Sequence, residues 1–240
     1  MARRLGPSLF LAIATLTPAQ ELRVAAAADL APLQQSLSAE FRKSTGIRIA
    51  FVTGSSGILA RQIENGAPYD VYLSANEALV QDLARKGKVA PESVRTYATG
   101  RLGLWSARGD VKSLGDLADP SVRYIALPNP AHAPYGQAAK EALASLKLWD
   151  RVSAKIVYGE NVRQSFEYAQ SKNADAVITA WTIVKDRGGI AIDPSLHAPV
   201  RQAGGVVAGS TRKKDAQRFL DFLAGQAGQK ILRDAGLGAP

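Results

Sequence analysis

Three times within its first 85 residues, the chain follows a short apolar run with a longer segment of helical periodicity. Residues 22–28, 47–52 and 71–74 predict strands, and the segments after them carry leucine, isoleucine or alanine at helical spacing. Consecutive strand–helix units favour a parallel sheet covered by helices. Since the ligands of such sheets bind beyond the carboxyl ends of the strands, the residues that follow each run are candidates for a site.

The regular succession of strand and helix patterns is interrupted near residue 97, and a second set of such patterns follows. Residues 101–106 form an extended run with no clear helix after it, and we interpret this run as a crossing to a second lobe. Residues 199–208 form another extended run, which predicts the return crossing. We therefore expect a two-lobed α/β fold, each lobe a mostly parallel sheet flanked by helices, with a ligand cleft between the lobes. The predicted first lobe comprises residues 20–98 and 205–240, and the predicted second lobe comprises residues 99–204.

Prolines fix one loop of the predicted second lobe. Pro128, Pro130 and Pro134 lie within nine residues, and they remove backbone donors and push the residues before them out of the helical region. This segment is therefore expected to be a rigid loop that delivers the start of the next helix. The expected strands of this lobe are 122–127, 156–158 and 176–179, and the expected helices that follow in the chain are 135–148, 162–171, 212–223 and 226–235.

The amino terminus has the pattern of an export signal. Arg3 and Arg4 precede an apolar run at residues 5–16, and small residues follow up to Ala19. We expect a signal peptide at residues 1–19, cleaved after Ala19. The apolar run is too short to span a bilayer comfortably, and no later stretch approaches the ~20 apolar residues of a transmembrane helix. The mature chain is predicted to be exported to the periplasm and not inserted in a membrane.

Composition excludes several classes of partner and site. The formal charge is +9, but lysine and arginine are scattered, and no basic helix is interleaved with aromatic residues. We therefore expect no nucleic-acid partner. The chain contains no cysteine, which excludes disulfides and thiolate metal sites. Its two histidines, His132 and His197, have no His, Asp or Glu at metal-ligand spacing, so neither a metal site nor a cofactor is predicted.

Residues 53–57, with the sequence Thr-Gly-Ser-Ser-Gly, lie between a predicted strand and a predicted helix. The first N–H groups of a helix have no intrahelical acceptor and carry a partial positive charge, so they bind anions without lysine or arginine. Glycine lets the backbone approach a ligand closely, and Ser55 and Ser56 each carry one hydroxyl donor. The alternative interpretation is that one of these serines only caps the helix. The motif by itself leaves both interpretations open.

A serine hydrolase is the alternative from a different class of protein. Ser55 or Ser56 would need a base, and His132 is the only histidine on a strand-end loop. However, no G-x-S-x-G elbow presents a nucleophile, and the Walker and G-x-G-x-x-G nucleotide motifs are absent from the sequence. We therefore expect a binding protein and not an enzyme.

Four motifs resemble the periplasmic molybdate-binding proteins of ABC importers. They are VAAAADL at residues 24–30, GSSGILARQI at 54–63, NGAPYDVYLSA at 65–75 and APYG at 133–136. The resemblance extends over nearly the whole mature chain. It implies a type II periplasmic binding fold, a tetrahedral oxyanion such as molybdate or tungstate held by neutral donors, and delivery to a membrane permease driven by a cytoplasmic ATPase. We expect the protein to be a monomer.

The resemblance also implies a set of ligand contacts, three of which depart from the common pattern of the family. Asp29 stands where a serine or asparagine donor is common, Tyr135 where a small residue can occur, and Thr179 where a tyrosine hydroxyl can contribute. A backbone N–H remains available at Tyr135, and Thr179 keeps a hydroxyl. The implied contacts are Asp29, Ser55, Ser56, the backbone of Tyr135, Asn161, the backbone of Val162 and Thr179.

Asp29 admits two interpretations from the sequence. It either caps the first long helix, or it lies outside a helix that begins at Pro32 and faces the cleft, because proline disfavours a helical conformation at Ala31. An ionised carboxylate repels an anion, so an Asp29 that contacts a dianion has to be protonated, turned aside or matched by a proton on the ligand. A protonated oxyanion or a cation–oxyanion pair is therefore the alternative ligand class.

Overall fold

The computed structural model describes residues 21–240, so the predicted signal peptide at residues 1–19 and its cleavage site lie outside the described residues. The strands are β1 (Leu22–Ala27), β2 (Ile49–Gly54), β3 (Val71–Ser74), β4 (Arg95–Gly100), β5 (Leu102–Trp105), β6 (Ile125–Pro128), β7 (Ile156–Gly159), β8 (Ala176–Ala180), β9 (Ile190–Ala191) and β10 (Val200–Val206). The α-helices are α1 (Gln34–Thr45), α2 (Ser56–Glu64), α3 (Glu77–Arg85), α4 (Pro134–Ser145), α5 (Trp149–Val152), α6 (Val162–Gln170), α7 (Trp181–Val184), α8 (Lys213–Ala224) and α9 (Gln226–Asp234).

The described residues form two five-stranded sheets, which define two lobes. The first sheet has the order β2-β1-β3-β10-β4, with β2, β1 and β3 parallel and β10 antiparallel to both of its neighbours. The second has the order β7-β6-β8-β5-β9, with β7, β6 and β8 parallel and β5 antiparallel to both of its neighbours. Helices flank each sheet. The predicted two-lobed α/β fold is confirmed.

The central strands carry continuous apolar runs because both faces of the sheet are covered. In β1, Leu22, Val24 and Ala26 lie in one hydrophobic cluster with residues of α1 and α8, whereas Ala25 lies in a second cluster with residues of α2 and α3. Strands that are buried on both faces lose the alternation of polar and apolar residues. This explains why an uninterrupted apolar run predicted β1 correctly.

The extended run at residues 101–106 carries the predicted crossing, since the chain passes from the first sheet to the second between Gly100 and Leu102. The rest of the run forms a full strand, β5, which pairs with β8 and β9. An antiparallel strand needs no helix after it, so the missing helical pattern did not exclude a strand. Among residues 21–240, no helix has both the length and the apolar content required to cross a membrane.

The chain changes sheet at two places. It leaves the first sheet when β4 ends at Gly100 and enters the second when β5 begins at Leu102; it returns between Ala191 and Val200. The predicted lobe boundaries, after residue 98 and before residue 205, therefore fall inside β4 and β10. We propose boundaries at Arg101 and immediately before Val200.

Candidate ligand-binding site

A small cavity lies between the lobes, at the ends of β1, β2 and β3 on one side and at the loops after β6 and β7 on the other. This is the edge at which parallel sheets bind ligands, as the order of strands and helices predicted. The lining residues are Ala27, Ala28, Asp29, Gly54, Ser55, Ser56, Ala75, Ala133, Pro134, Tyr135, Asn161 and Val162.

Three α-helices of the described chain begin at this cavity, α2 from the first lobe and α4 and α6 from the second. Their first N–H groups have no intrahelical acceptor, and the aligned peptide dipoles give each helix start a partial positive charge. Pro134 begins α4 at the position where a missing N–H costs nothing. None of the described lining residues is lysine or arginine. The positive ends of three helix dipoles therefore face the cavity, which favours a small anion there without any cationic side chain.

Ser55 and Ser56 use their hydroxyls differently. The Ser56 Oγ accepts the Ala75 N–H at 3.0 Å, so its own proton remains available for a ligand. The Ser55 Oγ instead donates to the backbone oxygen of His132, in the other lobe, at 2.6 Å. Ser55 occupies the N-cap position of α2, but its side chain makes no capping bond. The interpretation of Ser55 as only a helix cap is therefore wrong.

The contact between Ser55 and His132 has a fixed direction. A serine hydroxyl has one proton, and a carbonyl oxygen only accepts, so the proton of Ser55 belongs to the bond with the carbonyl. His132 Nδ1, 2.9 Å from the Ser55 Oγ, must then be the donor in that second bond. In this arrangement His132 cannot take a proton from Ser55, which removes the geometric basis of the serine-hydrolase alternative.

Gly57 extends this contact along α2. Its N–H donates to the same His132 carbonyl at 2.9 Å. A Cβ at Gly57 would lie 2.8 Å from that oxygen, closer than side-chain carbons approach backbone oxygens. A residue without a side chain is therefore required where the loop of the second lobe meets the start of α2.

Asp29 forms a second contact between the lobes. It is fully buried in a 3-10 helix, Ala28–Leu33, that follows β1. The Tyr135 hydroxyl donates to Asp29 Oδ2 at 2.8 Å, and Gln202 Nε2 donates to the same oxygen at 2.5 Å and to the Tyr135 oxygen at 2.9 Å. Asp29 Oδ1 makes no hydrogen bond within residues 21–240. Tyr135 belongs to the second lobe, whereas Asp29 and Gln202 belong to the first.

Burial controls the ionisation of the Asp29 carboxyl group. Desolvation raises the pKa of Asp29 to about 6, even though the hydrogen bonds from Gln202 and Tyr135 favour the ionised form. Burial also raises the pKa values of the Tyr135 and Tyr97 phenols well above their usual range, and the nearby Asp29 carboxylate adds to both shifts. The site therefore contains one carboxyl group that titrates near neutral pH and two phenols that stay protonated there.

The proposed capping role of Asp29 was wrong. The N-cap positions of the 3-10 helix and of α1 are occupied by Ala27 and Leu33. The Asp29 side chain bonds instead to Tyr135 of the second lobe and to Gln202 of β10. The long helix begins neither at Asp29 nor at Pro32. The 3-10 turn accommodates Pro32 before α1 starts at Gln34, which resolves the conflict that proline creates at Ala31.

Asn161, Val162 and Thr179 form a connected unit of the second lobe. The Asn161 side chain caps α6 by accepting the N–H groups of Arg163 and Gln164 at 3.0 and 3.1 Å. Thr179 is buried in β8 and lies outside the set of lining residues, and its hydroxyl donates to the Val162 oxygen at 2.8 Å. Thr179 therefore contacts the start of α6 and not the cavity, which differs from the direct ligand contact expected from the sequence.

Two polar residues that hold the site were not found from the sequence. Gln202 reaches Asp29 from β10, 173 residues along the chain, and the Thr182 hydroxyl donates to the Asp29 backbone oxygen at 2.7 Å. The only signal for Gln202 was a lone amide within an apolar strand pattern. Within residues 21–240, no group of three His, Asp or Glu side chains is placed to hold a metal ion.

The two-lobed fold and the anion-receptive cavity between the lobes define an extracellular solute-binding protein. The family model described as bacterial extracellular solute-binding protein matches residues 22–238, and the chain belongs to this family. Because this is a family of binding proteins, the expectation of a binding protein and not an enzyme is confirmed.

Proteins that bind molybdate are among its relatives. The chain is 30% identical to the molybdate-binding protein ModA of Azotobacter vinelandii, over 94% of this chain and 93% of that protein. It is also 30% identical to ModA of Rhodobacter capsulatus, over 95% of this chain and 92% of that protein. The solved structure of the periplasmic molybdate-binding protein of Azotobacter vinelandii matches with a TM-score of 0.87 and 33% identity, over 92% of this chain and 100% of that one. The resemblance drawn from the sequence motifs is confirmed.

Proposed function

We propose that this protein is the extracytoplasmic solute-binding component of an ABC importer and that its ligand is molybdate. The main support is the cavity, in which three helix starts and the free proton of Ser56 converge without any cationic side chain. Such a cavity suits a small oxyanion held by neutral donors. The relatives that share most of the chain's length favour molybdate over other solutes. Tungstate, which has the same shape and charge, is the second ligand.

The contacts that we propose follow from the directions of the hydrogen bonds. Ser56 donates its hydroxyl proton to the oxyanion, and the N–H groups of Tyr135 and Val162 donate from the starts of α4 and α6. Asn161 fixes the first turn of α6, and Asp29 lies in contact with the ligand. Ser55 acts by holding the lobes together, because its proton is already given to His132.

The protein is proposed to act outside the cytoplasm. We propose cleavage of the signal peptide after Ala19, a periplasmic monomer, and delivery of the bound oxyanion to a membrane permease. Membership of an extracellular solute-binding family supports this arrangement. In this proposal the protein only binds and delivers the oxyanion, which requires no cofactor.

A thermal-shift panel on the chain from residue 20 tests this function. Molybdate, tungstate, sulfate and phosphate are compared at equal concentration, and a ligand at 100 times its Kd is expected to stabilise the fold by about 2.7 kcal/mol. We expect stabilisation by molybdate and tungstate, with little by sulfate or phosphate. Sulfate as the strongest stabiliser would change the ligand, and the absence of any shift would defeat the proposed function.

A further inference from the structure

Asp29 is the only charged side chain among the described residues that line the cavity. Its two carboxyl oxygens are in different situations. Oδ2 already accepts two hydrogen bonds, from the Tyr135 hydroxyl at 2.8 Å and from Gln202 Nε2 at 2.5 Å. Oδ1 is buried and has no partner within residues 21–240. A proton on this carboxyl group therefore belongs on Oδ1, because a proton on Oδ2 would meet two donors.

We propose that oxyanion binding at this site takes up one proton, which is shared between Asp29 Oδ1 and an oxygen of the ligand. This inference rests on the proposed function and gives Asp29 a direct contact with the ligand within it. An ionised Asp29 carboxylate can only accept hydrogen bonds, as can an oxygen of the oxyanion. With the proton between them, the two oxygens form a hydrogen bond. The ligand class is a tetrahedral oxyanion that arrives either as a dianion together with a proton from water or as its singly protonated form. Both routes give a complex with the same atoms and the same charge.

Electrostatics favours this proton because no cation balances the charge of Asp29, which is stabilised only by the hydrogen bonds from Tyr135 and Gln202. Two bare acceptors of negative charge in contact repel each other, and more strongly away from water. The titratable groups that act on Asp29 are Tyr135 of α4 and Tyr97 of β4, both of which are neutral phenols near pH 7. An ionised Asp29 beside a dianion would therefore concentrate three negative charges among helix dipoles alone.

The other elements packed near Asp29 bring no compensating cation to it. The strand β2 and the helix α7 carry no titratable side chain. Arg201 of β10 pairs with Glu77, and Arg95 of β4 pairs with Asp221, both at 2.8 Å. The remaining charged side chains of these elements are exposed or partly exposed: Arg23 of β1, Glu40, Arg42 and Lys43 of α1, Lys140 and Glu141 of α4, and Arg163 and Glu167 of α6.

The source of the proton follows from the titration of the free protein. Burial raises the pKa of Asp29 to about 6, so the carboxyl group of the ligand-free protein is ionised above that pH and the proton comes from solution. For a fully ionised oxyanion, uptake of one proton makes the Kd rise roughly tenfold for each pH unit above 6.

Calorimetry on the mature protein with micromolar molybdate measures the Kd and the proton uptake. Titrations at pH 7, 8 and 9, each in two buffers of different ionisation enthalpy, give the Kd and the number of protons taken up. We expect close to one proton at pH 8 and a Kd that rises roughly a hundredfold from pH 7 to pH 9. A Kd that is flat over this range, with no dependence of the heat on the buffer, would overturn the inference while leaving the proposed function intact.

Asp29→Asn is the informative variant because it keeps the shape of the side chain. Its amide oxygen can accept from Tyr135 and Gln202, and its NH₂ group takes the place of the protonated Oδ1. We expect a Kd that does not change with pH, no proton uptake, and tighter binding than the native protein at pH 9. Asp70→Asn is the matched control, since Asp70 is buried at the far end of β3, where it accepts from Ser210 and the Arg23 N–H. It should keep the native pH dependence.

The remaining outcomes separate the inference from the function on which it rests. A folded Asp29→Asn that binds no oxyanion at any pH would show that the negative charge is required, and the inference would be overturned. If the native protein binds no oxyanion at any pH, the proposed function fails and the inference fails with it. If Asp29→Asn does not fold, the proton uptake of the native protein still tests the inference, because that measurement needs no variant.

Discussion

Two of the contacts between the lobes at the cavity differ in kind, since one is made to a backbone carbonyl and the other to a carboxyl group. Ser55 and Gly57 of the first lobe donate to the backbone oxygen of His132, whereas Tyr135 of the second lobe donates to the carboxyl group of Asp29. The neutral contact uses a backbone acceptor whose charge does not change with pH. The ionisable contact places a carboxyl group where burial opposes its ionisation. The bonds to the His132 carbonyl therefore keep an acceptor of constant charge, whereas the bonds to Asp29 have an acceptor whose charge depends on pH.

The largest expected effect comes from removing the charge of the ionisable contact in the ligand-free protein. The folded-state pKa of Asp29, about 6, is above the ordinary value of 3.8, so its ionised form destabilises the fold. That cost is absent below pH 3.8 and complete above pH 6, so native stability falls as the pH rises between them. At pH 8, Asp29→Asn should raise the free energy of unfolding by about 3 kcal/mol at most. Urea unfolding at pH 8 and pH 4 measures this.

The difference between native protein and variant should shrink as the pH approaches 4, and an equal difference at both pH values would contradict the prediction. Asp116→Asn is a control of opposite sign. Backbone N–H bonds, first that of Lys112, hold the pKa of Asp116 below its usual value. Its stabilising effect is present above the unfolded-state pKa and lost as the pH falls, so Asp116→Asn should lower stability at pH 8.

Ser56→Ala should have the next largest effect, on ligand binding. Ser56 keeps its proton for the oxyanion because its oxygen already accepts the Ala75 N–H. Loss of a hydrogen bond to a charged ligand weakens binding by about 1.5 to 3 kcal/mol. Calorimetry with molybdate at pH 7 gives the change, and urea unfolding checks that the fold persists. Unchanged affinity together with lost stability would make Ser56 a purely structural residue.

Ser55→Ala should weaken binding less than Ser56→Ala does. Its hydroxyl donates to the neutral carbonyl of His132, and such a bond contributes about 1 kcal/mol. The loss should appear as a less favourable closure of the lobes, because Ser55 makes no proposed ligand contact. The same calorimetric titration compares the two serines directly. A larger loss at Ser55 than at Ser56 would reverse the roles assigned to them.

The smallest effect is expected at the side chain of His132. Ser55 and Gly57 bind its backbone oxygen, which any residue at this position retains. The side chain adds only the bond from its Nδ1 to the Ser55 Oγ. His132→Ala should therefore weaken the affinity for molybdate by less than about 1 kcal/mol, and by less than Ser55→Ala, which loses both bonds. An assay with generic esters, run on both proteins, should show no turnover. Ester hydrolysis that disappears in His132→Ala would restore the hydrolase interpretation.

The sequence predicted what depends on neighbouring residues and missed what depends on distant ones. The starts of α6 and α9 agree with prediction, because helical spacing and the cap at Asn161 are local signals. The position of the cavity was also predictable, since it follows from strand order. The partners of Asp29 and Ser55 were not, because they lie 106 to 173 and 77 residues away. Thr179 shows the same limit: its hydroxyl was identified, but its direction is set by the packing of β8 against α6.

The loop that carries His132 has a consequence for the speed of capture and release. Pro128, Pro130 and Pro134 restrict it, and the N–H groups of His132 and Ala133 both donate to the Asn129 backbone oxygen. Such a loop is ordered before a ligand arrives, so little conformational entropy is lost when it meets α2. We therefore expect the rate of capture to depend on movement of the lobes and not on the folding of this loop. We expect the same of release, since the bonds to the His132 carbonyl link one ordered segment to another.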